Sequence, residues 1–166
     1  MSKKYNILIV DDEEQIASII KKYLAFYIHF DRIVIAKDGV QAMQKLSNQE
    51  FDLVITDLVM PKRDGFALID NIKKMPKYYN LKIMIVSGCL SRESTIMAMR
   101  KGVRYIVTKP FTARQLLQKV FSILKVDKDP VAFTDKLMLK IAERIQEKKK
   151  QIDAIAQIDK IDIEKD

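Results

Sequence analysis

The sequence predicts an α/β fold, a doubly wound five-stranded parallel sheet in the order 2-1-3-4-5 with five helices and a helical extension at the carboxyl end. Two observations predict it. Five short apolar runs of strand length alternate with five stretches in which apolar residues recur at three and four, the signature of a parallel sheet covered on both faces. In addition, the polar residues that punctuate the strands fall after strands one, three, four and five and not after strand two. That distribution places strands one and three side by side at a switch point, where open α/β sheets bind their ligands.

Tyr5–Val10 (YNILIV) is a β-branched apolar run, and Asp11-Asp12-Glu13-Glu14 follows at once. Acids in that place can cap a helix amino end. Ile16, Ile19, Ile20, Tyr23, Leu24 and Tyr27 then predict a helix from about Glu13 to about Ile28. Arg32–Ala36 is the second strand, closed by the turn signal Lys37-Asp38-Gly39, and Val40, Met43 and Leu46 mark a short helix. The third strand, Leu53–Thr56, runs into Asp57 and breaks into a loop at Met60-Pro61 and Asp64-Gly65. A helix carrying Phe66, Leu68, Ile69 and Ile72 is stopped by Pro76. Leu81–Val86 is the fourth strand, ending on Ser87-Gly88. Ser91 opens a helix containing Ile96, Met97 and Met99, and Gly102 closes it. Arg104–Thr108 is the fifth strand, and Thr112 caps a last helix with Leu116, Leu117, Val120, Phe121 and Leu124.

The 166 residues suffice for one well-filled core, organised as a domain over 1–125 and an extension over 126–166. Cys89 is the sole cysteine, so no intramolecular disulfide forms, and no signal-peptide or membrane-span pattern is present. A cytoplasmic protein without membrane association is expected. The net charge is +8, but residues 126–166 hold 9 Lys and Arg against 10 Asp and Glu, so the excess lies in the domain. A basic surface can attract nucleic acid. No basic-aromatic interleaving or helix-turn-helix accompanies it, and DNA is not the expected partner. Met43, Met60, Met84, Met97 and Met99 read as core filler, and Cys89 as a small reduced residue near the site. His29 reads as a surface residue.

After the polar break Asp127-Lys128-Asp129-Pro130, Val131–Ile158 reads as one amphipathic helix. Met138, Ile141, Ile145, Lys148, Ile152 and Ile155 make a heptad-like seam. Such a seam suits a homodimer, a partner, or a fold back onto the domain. The acidic end beyond it is expected to be disordered.

Asp11 and Asp12 follow strand one, Asp57 ends strand three, Ser87 follows strand four and Lys109 follows strand five. Converging carboxylates repel one another unless a cation joins them, and a hard ion with oxygen ligands, Mg²⁺ above all, meets that need. Lys109 then supplies a point charge and Ser87 a hydroxyl for phosphoryl oxygens, with Asp57 as the nucleophile that forms an acyl phosphate.

Taken together, Asp11-Asp12, the Asp57 block with Met60-Pro61 and Asp64-Gly65, Ser87-Gly88 and Lys109-Pro110-Phe111 make residues 5–125 resemble a receiver domain of a two-component response regulator, of the stand-alone chemotaxis-regulator kind. The resemblance implies a flavodoxin-like sheet and Mg²⁺-dependent phosphorylation of Asp57 by a sensor histidine kinase or phosphotransfer protein. It implies metal binding by Asp12, Asp57 and the Val59 carbonyl directly and by Asp11 through water, and a cis Lys109-Pro110 bond. Output would pass to a downstream protein target through the face made by helix four, strand five and helix five. The chain would be a phosphoacceptor rather than an enzyme.

Two positions depart from the family pattern. The aromatic switch position holds Ile106, with Tyr105 beside it, and neighbouring strand residues face opposite sides. Val59 and Cys89, two residues beyond Asp57 and Ser87, lack a strong hydrogen-bonding group, so slow self-dephosphorylation is expected. Two other classes compete. A nucleic-acid-binding regulator has only charge in its favour. An aspartyl-phosphate phosphohydrolase would want a second acid where Val59 stands.

Overall fold

The computed structural model describes residues 3–27, 30–60 and 65–126, together with Leu139, Glu143, Arg144, Gln146 and Glu147. The chain forms two compact units, Met1–Lys128 and Asp129–Asp166. In the second, the five described residues are helical. The seam from Met138 to Ile155, His29, Pro61 and Asp64 lie outside the described residues.

In the first unit the elements run β1 (Tyr5–Val10), α1 (Glu14–Ala25), β2 (Phe30–Ala36), α2 (Gly39–Asn48), β3 (Leu53–Thr56), α3 (Gly65–Lys74), β4 (Lys82–Ser87), α4 (Arg92–Arg100), β5 (Tyr105–Thr108) and α5 (Ala113–Leu124). A 3-10 turn, Pro76–Tyr78, links α3 to β4. The five strands are all parallel in the order β2-β1-β3-β4-β5. This is the flavodoxin-like arrangement.

The sheet is parallel because both faces are apolar. All four residues of β3 are buried, and β1 is buried from Ile7 to Val10. Leu8, Val10 and Val54 face a core shared with Ala42, Leu46, Leu68, Ile69 and Ile72 from α2 and α3. On the other face, α5 buries Leu116, Leu117, Val120, Phe121 and Leu124, its inward stripe. Each such large side chain contributes about 1.5–3 kcal/mol when fully withdrawn from water. The helix is fixed at its start by a reciprocal capping box: the Gln115 N–H donates to Thr112 Oγ1 at 3.2 Å, and the Thr112 N–H donates to Gln115 Oε1 at 2.8 Å.

Several boundaries and faces differ from the sequence reading. Helix α1 ends at Ala25, three residues before Ile28, because the chain turns there: the Tyr27 N–H donates to the Leu24 carbonyl and the Phe30 N–H to the Tyr27 carbonyl. Tyr27 is buried all the same, 4.7 Å from the Phe121 ring and 4.9 Å from Phe30. The side chain of Asp38 caps α2 by accepting from the Gln41 N–H, and Gly39, Ala42 and Leu46 form its buried stripe, which turns Val40 outward.

Helix α4 is the larger correction. Only Ala98 is buried, and Met97 and Met99 are 47% and 61% exposed, so neither fills the core. Met60 and Met84 do. The helix lies on the sheet along the Ala98 side, and the apolar residues flanking that side point to solvent, which periodicity does not distinguish from an inward stripe.

Candidate functional site

Strands β1, β3, β4 and β5 bring their carboxyl ends together, and the residues there form one cluster. Asp57 follows β3, and its backbone N–H donates to the Val10 carbonyl at 2.9 Å, which ties it to the end of β1. Ser87 is the last residue of β4 and fully buried. Lys109 follows β5, and its N–H donates to the Ser87 carbonyl at 2.9 Å. The Lys109-Pro110 peptide bond is cis.

Both oxygens of the Asp57 carboxylate are engaged. Ser87 Oγ donates to Oδ1 at 2.6 Å, with the Val59 N–H at 3.1 Å from the same oxygen. Lys109 Nζ donates to Oδ2 at 2.7 Å. The same ammonium lies 3.0 Å from Asp11 Oδ2 and 3.0 Å from Glu13 Oε1, so one cation serves three acids. Asp11 is itself oriented by the Glu13 N–H, 2.9 Å from its Oδ1.

Burial and pairing set the ionisation of these groups in opposite directions. Burial pushes the Asp57 carboxyl up, but hydrogen bonds from Lys109, Ser87 and the Val59 N–H outweigh it and hold the group below its ordinary value. For Asp11 burial wins over the Lys109 contact, and its carboxyl is raised. Burial disfavours the Lys109 ammonium, yet its contacts with Asp57, Glu13 and Asp11 prevail and raise it well above the usual lysine range. At neutral pH the nucleophile candidate is therefore an anion beside a firmly charged ammonium.

Oxygens of Asp11, Glu13 and Asp57 lie within 4.8 Å of one another. An all-oxygen set of this kind suits a hard divalent ion. Of the residues singled out from the sequence, Asp11, Asp57, Ser87 and Lys109 meet here. Asp12 is exposed and stands outside the three-carboxylate group. Glu13, exposed at the rim, joins them although its sequence context suggests only a helix-capping acid; its place directly after the Asp pair is the signal for it.

Around this cluster the backbone is tight. A Cβ on Gly65 would collide with the Asp57 carbonyl oxygen and stand 2.8 Å from Leu58 Cα, so only glycine lets α3 start beneath the Asp57 loop. Val59, Met60, Phe66, Cys89 and Ser94 line a neighbouring recess of about 290 Å³. Cys89 is a free, exposed thiol. On β5, Ile106 packs partly buried against the core cluster, and Tyr105, its neighbour along the strand, turns to the other face.

Comparison with known proteins gives one consistent answer. The family described as the response regulator receiver domain matches residues 7–121. The chain is 34% identical over 125 residues to chemotaxis protein CheY-3 of Vibrio cholerae, covering 75% of this chain and 95% of that protein. It is 32% identical over 119 residues to a chemotaxis CheY homolog of Campylobacter jejuni, covering 71% of this chain and 91% of the other. Among solved structures, a CheY-like receiver domain protein from Methanospirillum hungatei superposes with a TM-score of 0.68 at 29% identity, covering 75% of this chain and 95% of that one.

Proposed function

Because the chain belongs to the response regulator receiver family, we propose that it is the phosphoacceptor of a two-component signalling system and that Asp57 takes the phosphoryl group. One observation carries this reading: a buried carboxylate receives a hydroxyl on one oxygen and an ammonium on the other, 2.6 and 2.7 Å away.

The donor is the phosphohistidine of a sensor histidine kinase or a phosphotransfer protein. An Asp57 oxygen attacks phosphorus, a new O–P bond forms, and the P–N bond breaks with its electron pair going to the ring nitrogen; the imidazole, protonated on its other nitrogen while phosphorylated, leaves as a neutral ring with that N–H. Lys109 turns its ammonium to one phosphoryl oxygen and Ser87 its hydroxyl to another, which stabilises the charge spread over them. Both donors already touch the nucleophile, so little reorganisation is needed.

Asp11 and Asp57 are the residues to hold Mg²⁺, with Asp12 and the Val59 carbonyl expected to join and Glu13 the additional carboxylate at this place. Bound there, the ion supplies positive charge to phosphoryl oxygens. Asp11 stays buried against that position, and its raised proton affinity is relieved by a cation.

The readout is a contact with a downstream protein on the face of α4, β5 and α5, biased by phosphorylation. Among the described residues no helix is long and apolar enough to cross a membrane, and the cytoplasm is the compartment expected for an acceptor of phosphoryl groups from a histidine kinase. The heptad-like spacing of Met138, Ile141, Ile145, Ile152 and Ile155 in the sequence suits a homodimer through the extension.

Intact-mass spectrometry after incubation with acetyl phosphate and Mg²⁺ tests the assignment. A single phosphoryl adduct is expected on the wild type and none on Asp57→Asn. An adduct of equal yield on the variant overturns it.

A further inference from the structure

At the opposite end of the sheet the strands' amino-terminal ends border a second recess, of about 470 Å³. Tyr5 opens β1, Phe51 and Asp52 precede β3, and Lys82 opens β4. The whole of β3 separates this recess from Asp57, about 15 Å at ~3.3 Å per residue. It therefore shares no side chain with the acidic cluster.

Its walls carry an excess of cations. Lys3, Lys77, Lys82 and Lys125 line it, against two acids, Glu50 and Asp52. Asp52 is already committed: it accepts from the Asn6 N–H at 2.9 Å and pairs with Lys3 at 3.3 Å. Lys77 rests over the ring of Tyr78, 5.6 Å from its centroid. Among the described residues, no carboxylate pairs with Lys77, Lys82 or Lys125. Lys77, Lys82 and Lys125 thus leave the lining with an excess of positive charge over Glu50 and Asp52, which favours an anion placed among them.

Flat surfaces accompany the charge. Tyr78 is buried, Tyr5 and Phe51 are half-buried, and all three line the recess. Tyr5 is held in place by its hydroxyl, which donates to the Leu124 carbonyl at 3.2 Å. Aromatic walls with cations at the rim suit a planar ring joined to an anionic group. The volume lies within the range of small-ligand sites, ~300–1,000 Å³.

We infer that this recess binds a small planar anion of the nucleoside phosphate class, its phosphates among Lys77, Lys82 and Lys125 and its ring against Tyr5, Phe51 and Tyr78. Glu50 offers an acceptor for an amino group on that ring. The site stands apart from the phosphoacceptor reading, since it uses none of the same residues.

Titrating the full-length chain with ADP, followed by amide NMR in Mg²⁺-free buffer, tests the inference. Saturable shifts at Tyr5, Asp52, Tyr78 and Lys82 are expected, with adenosine binding at least tenfold more weakly. The same titration of Asp57→Asn should match the wild type. Lys77→Glu combined with Lys82→Glu should weaken ADP at least tenfold, and the milder Lys82→Gln severalfold, each with an unchanged circular dichroism spectrum. No saturable shift at millimolar ADP, shifts that centre on Asp57 instead, or equal binding by Lys82→Gln and wild type would each overturn it.

Discussion

Gly65 and Asp57 approach so closely that the Asp57 carbonyl oxygen occupies the place a Cβ on Gly65 would take, while the Gly65 N–H donates to the neighbouring Leu58 carbonyl at 2.9 Å. The start of α3 is thereby fastened to the loop that carries the proposed phosphoacceptor.

Gly65→Ala is expected to force that loop outward, and overpacking of this kind costs about 1–3 kcal/mol. Urea denaturation should show the loss, and acetyl phosphate labelling of Asp57 should slow with it. A variant with wild-type stability and labelling rate would contradict the contact.

Ser87→Ala removes the hydroxyl from Asp57 Oδ1 inside a fully buried site. The Val59 N–H still serves that oxygen, so stability should fall by only about 1 kcal/mol. The labelling rate should fall tenfold or more, since one lost donor to a developing charge can cost ~10²–10³ in rate. Stopped mass-spectrometric time courses measure it, and an unchanged rate would remove Ser87 from the machinery.

Lys109→Met leaves Asp11 and Asp57 buried without their cation, and breaking a buried pair in this way costs about 3–5 kcal/mol. The pH dependence follows from the raised lysine: its contribution is fully present below the ordinary value of 10.5 and is lost as pH rises through the higher folded value. The stability difference between wild type and variant should therefore hold constant from pH 7 to 10 and shrink above 10.5. Paired urea titrations across that range decide it, and a difference growing with alkaline pH would be the wrong sign.

With beryllofluoride and Mg²⁺ as a phosphoryl mimic, the Tyr105 ring should keep its face of β5, because Ile106 is the residue of that pair packed against the core cluster. NMR of the tyrosine ring in wild type and Ile106→Tyr separates the cases. A Tyr105 ring that swings inward in the wild type would refute this. Phosphoryl half-life gives a companion measurement: Val59→Asn with Cys89→Glu should shorten it.

Strands β1 and β3 could be bounded from the sequence because β-branched runs there stop at acids, and the sheet order followed from which strands end in polar groups. Asp11, Asp57, Ser87 and Lys109 were found through that same strand-end rule, since a parallel sheet collects its carboxyl ends on one edge. Glu13 escaped it because the residue belongs to the turn into α1 rather than to a strand. The outward face of α4 escaped for another reason: three apolar residues around Ala98 satisfy a helical period whichever side meets the sheet. The recess at the other edge is assembled from residues between 3 and 125, a gathering that no local pattern announces.

A helix that withdraws a single alanine from water is lightly anchored. Sliding or tilting α4 forfeits little apolar contact, whereas moving α5, with seven buried residues, forfeits a great deal. The fold thus sets a lightly anchored helix beside a firmly anchored one, and under the proposed readout Ile96, Met97 and Met99 are the apolar area that a partner covering α4 would withdraw from water.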